Sequence, residues 1–108
     1  MAAWVYFIHP PRIDFAATMS PAEEEVFGRH WARLQRLFRE GSVILVGPTL
    51  GRDNTGICIF EAPDEAAARA MMEQDPVIAE GVARGELRPM RVSLLRGRDD
   101  VPAPGGEP

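Results

Sequence analysis

The sequence predicts an α+β fold in which two helices cover one face of a four-stranded antiparallel sheet. Three observations point there. The 108 residues suffice for one core and one domain. A long amphipathic helix can be read from cap to cap between Ser20 and Gly41. Runs rich in branched and aromatic residues surround it in the order strand, helix, strand, strand, helix, strand.

The first strand is Ala3 to His9 (AWVYFIH), closed by Pro10-Pro11, which cannot continue a central strand. The loop that follows holds Arg12 and Asp14, and because it leaves the C-terminal end of a strand it is placed to line a pocket mouth. Arg12 is therefore a candidate substrate-binding residue. Ser20 with Glu23 three residues on is a capping-box pattern, and Pro21 occupies the first helical position, where a missing N–H costs nothing. Val26, Phe27, Trp31, Leu34, Leu37 and Phe38 form the apolar stripe of this helix, and Arg29, Arg33, Arg36, Arg39 and Glu40 fall on the other side as a solvated face. Gly41 ends it.

Ser42 to Val46 is the second strand, broken by Gly47-Pro48, where a ligand could approach the backbone. Residues 51–54 (GRDN) read as a hairpin turn, and Thr55 to Ala62 is the third strand. Asp64 caps a second helix that runs to about Gln74, rich in small alanines that let it lie close to its neighbours. Asp75-Pro76 then opens a short periodic piece as N-cap and first helical residue. Glu86 to Arg96 is the last strand, with Pro89 marking an edge or a bulge. Residues 1–96 form the single domain, and residues 97–108 (GRDDVPAPGGEP) lack apolar periodicity, which predicts a disordered tail.

This order gives a split βαβ, or ferredoxin-like, βαββαβ arrangement. The runs VYFI, VILV and ICIF are nevertheless apolar on both sides, as expected only where both sheet faces are buried. Two helices cannot cover the second face, so a second copy is expected there and the protein is expected to be a homodimer.

A net charge of -4 argues against nucleic acid as the main partner, which needs concentrated positive charge. The apolar run at the N-terminus is far shorter than the ~20 residues of a membrane span, and no positive charge precedes it. Cys58 is alone, so no intramolecular disulfide forms, and a cytoplasmic location is expected. His9 and His30 are the only histidines, without HxH, HxxxH or CxxC spacing, so no metal site is expected. The nucleotide-binding and serine-hydrolase signatures are absent, which leaves cofactor-free acid–base chemistry on the enzyme side.

The residue that such chemistry would use is His30, which lies about 40° from Val26 on the helical wheel, inside the apolar arc. One reading is a neutral core imidazole tied to a buried acceptor; the other is the base of a pocket. On the first helix, with its Leu-rich continuation, Gly41, VILVGPTL and the later Met72-Glu73-Gln74-Asp75-Pro76, the chain resembles the YCII domain family over roughly residues 3 to 96. The resemblance implies a dimeric α/β barrel and a His–Asp pair proposed to work as a dyad, which map onto His30 and Asp75. Some relatives are small-molecule lyases, such as dehydrochlorinases of aromatic degradation, and most have no assigned reaction. The Pro10-Pro11-Arg12 loop is longer than in the compact members.

The topology brings the same pair together independently. The helices lie antiparallel, so Asp75, at the end of the second, approaches the N-terminal half of the first at His30. A carboxylate on one ring nitrogen fixes the tautomer and leaves the other free to take a proton. Two functions are expected on these grounds: a lyase- or isomerase-type enzyme acting on a small organic compound through His30 and Asp75, with Arg12, Gly47 and Pro48 binding substrate, or a non-catalytic dimeric module for a metabolite or a partner protein. If His30 is a pocket base, His30→Leu should complete the apolar stripe without loss of stability.

Overall fold

The first helix begins where the caps require. In the computed structural model, which describes residues 2–97, the Ser20 Oγ accepts from the Glu23 amide at 3.1 Å while Glu23 Oε1 accepts from the Ser20 amide at 2.8 Å. This closes both arms of the capping box. Helix α2 (Pro21–Glu40) runs to Gly41, whose φ of 96° is the left-handed turn that glycine adopts without strain. The short turn α1 (Phe15–Thr18), absent from the sequence reading, precedes it and buries Phe15 against Phe27. Four residues are too few for a periodic signal.

The sheet has the order β2-β3-β1-β4, all neighbours antiparallel, with β1 Ala2–His9, β2 Val43–Pro48, β3 Gly56–Ala62 and β4 Arg84–Met90. Trp4, Tyr6 and Ile8 alternate onto the face that also carries Cys58, Phe60, Ala62 and Val43, and this face packs with Val26 and Leu34 of α2 and with Ala68 and Met72. Val5, Phe7, Ile57 and Ile59 take the intervening positions and form the other face. Trp31 and Phe38, expected in the core, are instead 54% and 58% exposed at the rim of α2.

Two strand boundaries depart from expectation. β2 continues through Gly47 and Pro48 because it is an edge strand, where the N–H that proline lacks is not needed on the open side. β4 spans Arg84–Met90 rather than 86–96, because pairing is limited by β1: His9 faces Arg84 and Ala3 faces Met90, and beyond Met90 little of β1 remains to pair with. Pro89 sits on this second edge, as its chemistry demands.

Asp64 caps α3 (Glu65–Glu73) by accepting from the Ala67 amide at 2.9 Å. Met72 on α3 lies so close to β4 that a Cβ at Gly85 would meet its sulfur at 2.8 Å. Asp75 caps the one-turn α4 (Pro76–Ala79). The first helix does not leave its whole basic face to solvent: Arg29 grips both oxygens of Glu80 just past α4, and Arg33 donates to the Met71 carbonyl at 2.8 Å. No helix among the described residues is long and apolar enough to cross a membrane. Residues 98–108, nearly all of the predicted tail, lie outside the described residues.

Candidate functional site

Capping, the local reason for Asp75, uses one of its oxygens: the Val77 amide donates to Oδ1 at 3.1 Å. The Asp75 carboxylate also stands against the third turn of the long helix. His30 Nδ1 lies 2.8 Å from both Oδ1 and Oδ2. A carboxylate only accepts, so Nδ1 carries the proton and Nε2 is the nitrogen left for other chemistry. Asp75 has no exposed surface and His30 is 8% exposed.

His30 also borders a pocket of about 270 Å³. Its walls are Ile8 and Pro10 from β1 and its end, Phe27, Trp31 and Leu34 from α2, Val46, Gly47 and Pro48 from β2, and Asn54, Gly56 and Ile57 at the start of β3. The Phe27 ring meets the imidazole edge-on with centroids 5.1 Å apart. Asn54 brings no free donor: its amide nitrogen is bonded to the Thr49 and Gly51 carbonyls, and its oxygen takes the Ala16 amide. Among the described residues no Lys or Arg side chain lines the pocket.

The structure thus brings together four of the five residues singled out from sequence: His30 bonded to Asp75, and Gly47 and Pro48 in the wall that His30 faces. Arg12 is the exception, since it is not among the residues that line this pocket. Its guanidinium is held in a two-bond pair with Glu23 at 2.8 and 2.9 Å, donates to Thr18, and lies over the Phe15 ring, so it braces the loop against α2 and does not line the pocket. That pairing pulls Glu23 down to about 2 from its ordinary 4.5. Among the described residues no group of three His, Cys, Asp or Glu side chains is placed to hold a metal ion.

Sequence reasoning missed Tyr6, whose hydroxyl donates to Asp75 Oδ2 at 2.6 Å. Burial, with Cys58 and Asp75 beside it, pushes the phenol far above its usual range, so it stays a donor at any physiological pH. A signal existed. A lone tyrosine at an inward position of a central strand must find a partner for its hydroxyl. Cys58, beside it, is also pushed up, to about 12, by burial, which leaves an inert thiol.

With this geometry in place, the chain can be set against known proteins. The profile of the YCII-related domain matches residues 6–91. No curated protein sequence matches the chain. Among solved structures it is similar to the 5-chloro-2-hydroxyhydroquinone dehydrochlorinase of Burkholderia phenoliruptrix AC1100 in complex with 2,5-dihydroxybenzoquinone. The two share 20% identity and a TM-score of 0.56 over 89% of this chain and 99% of that one, a likeness of fold.

Proposed function

The chain belongs to the YCII-related domain family, and from that premise we propose that it is a small cytoplasmic acid–base enzyme of lyase or isomerase type that needs no cofactor, with His30 as its base and Asp75 as the residue that orients it. One observation carries the reading: the imidazole joins a carboxylate without exposed surface to an otherwise apolar pocket of about 270 Å³. With its proton fixed on Nδ1, the ring presents the Nε2 lone pair to a ligand, and the imidazolium formed on proton transfer is stabilised by Asp75. In a lyase step Nε2 takes an acidic C–H or O–H proton. The electron pair left behind forms a new double bond as a leaving group departs with its own pair. In an isomerase step the proton returns at another carbon.

The pocket indicates the substrate class. Among the described residues no Lys or Arg lines the pocket to hold a carboxylate or phosphate, and its walls are mostly apolar, so an uncharged compound of about one ring fits best. The dehydrochlorinase of similar fold holds 2,5-dihydroxybenzoquinone, and halogenated hydroxyquinones are the first compounds to try. A homodimer, closed over the open sheet face, is the working assembly.

Halide release from such a ring is the test. His30→Gln should lower turnover about 10²- to 10⁴-fold, the usual contribution of a positioned base, while calorimetry still finds the ring bound. Equal halide release by the variant would remove His30 as the base. Binding without turnover in either protein would make the chain a metabolite-binding module.

A further inference from the structure

Tyr6 is the only tyrosine of the chain and has no exposed surface. Its ring packs edge-on against Phe60 at 5.6 Å, a contact that phenylalanine would make equally well. The hydroxyl is what distinguishes it. It reaches Asp75 Oδ2 at 2.6 Å, the short distance of a hydrogen bond to a charged acceptor. Asp75 is thereby held from three sides, by Tyr6 of β1, by the Val77 amide of α4 and by His30 of α2. The other titratable groups facing this cluster are Cys58 of β3 and Arg33 of α2, both close enough to act on the Tyr6 hydroxyl. Neither is hydrogen-bonded to the imidazole, and Arg33 is turned to the Met71 carbonyl.

We propose that Tyr6 is a positioning residue of the His30 base: by donating to Asp75 Oδ2 it fixes the carboxylate plane against Nδ1 and takes up part of its negative charge, and so sets how strongly His30 holds a proton without touching the substrate. The proposal rests on the reading of His30 as the base of the pocket. It also assigns a sign. Removing the hydroxyl leaves the full carboxylate charge to the imidazole, which favours imidazolium and raises the pH at which the ring titrates. Strengthening the donor draws charge away and lowers it. Asp75→Asn would act in the second direction, because the anion itself is gone.

Since there is one tyrosine, biosynthetic incorporation of 3-fluorotyrosine, a more acidic phenol, alters this site alone. His9, the other histidine, is hydrogen-bonded to Glu86 outside the site, so His9→Gln identifies the two imidazoles by NMR. In the ligand-free protein, the His30 titration midpoint should rise by about half to one pH unit in Tyr6→Phe and fall in the fluorotyrosine protein. The acidic limb of any pH–rate profile should follow. Coincident midpoints in a folded Tyr6→Phe and in wild type, or shifts of one sign in both altered proteins, would overturn the proposal and leave Tyr6 as packing. Should Tyr6→Phe fail to fold, the fluorotyrosine protein decides alone, a fall supporting the proposal and no change ending it. Because the midpoint is read without substrate, absence of turnover would count against the enzyme and not against this assignment.

Discussion

Asp75 has no exposed surface and shares its oxygens among donors from β1, α2 and α4, so the cost of losing a partner is set by burial. His30→Leu illustrates this. On the helical wheel it merely completes the apolar stripe between Val26 and Leu34, and by that logic it should be neutral. In the structure it withdraws the imidazole from a carboxylate that water cannot reach, and a buried polar group short of a partner costs about 1–3 kcal/mol. The expected outcome is a fall of that size in unfolding free energy in urea. His30→Gln, which keeps a group able to donate, should lose less. Equal stability of His30→Leu and wild type would mean that Asp75 replaces the bond from Tyr6 and Val77 alone.

Arg12 shows how a residue read as part of a site becomes part of an element. Its pair with Glu23 adds a charge partner to a residue that already closes the capping box of α2. Glu23, held at about 2 in the folded chain against an ordinary 4.5, contributes stability that is present above about 4.5 and is lost as pH falls towards 2. Arg12→Ala should therefore flatten the stability–pH curve in that window and leave ligand binding at neutral pH unchanged. The effect is small, because Arg12 is exposed and Glu23 is partly open to solvent. A variant with impaired ring binding would return Arg12 to the pocket. The ends of α2 were legible because every signal lies within a few residues of the terminus: Ser20 with Glu23, Pro21, Gly41. The extent of β4 was not, since the Arg84-Gly85-Glu86 start is polar and becomes strand only because His9 to Phe7 stand opposite. Distance in sequence hid the site's third member in the same way. His30 and Asp75 could be joined by topology, whereas Tyr6 lies 69 residues from Asp75, and nothing local in an aromatic strand reports what its hydroxyl will meet.

At the scale of the molecule, the sheet face away from the helices is where the proposed homodimer would form. Val5, Phe7, Ile57 and Ile59 lie together there, cross-paired as Val5 with Ile59 and Phe7 with Ile57, while Glu86 and His9 are hydrogen-bonded beside Phe7. An apolar centre with a charged rim is the composition of a protein interface, and a stable one buries more than about 1,000 Å². Two copies placed face to face would cover Phe7, Ile57 and Ile59, which the single chain leaves partly open, and close the barrel that the family resemblance implies. The chain should then sediment at micromolar concentration with twice its 11.9 kDa mass. Ile59→Glu puts a charge at the middle of this face, on a residue already partly open to solvent, so it should split the dimer without unfolding the chain. The variant is expected to sediment at 11.9 kDa with an unchanged far-ultraviolet dichroism spectrum. If wild type also sediments at 11.9 kDa, the face is not an interface between copies, and Phe7, Ile57 and Ile59 remain as open to solvent as the single chain leaves them.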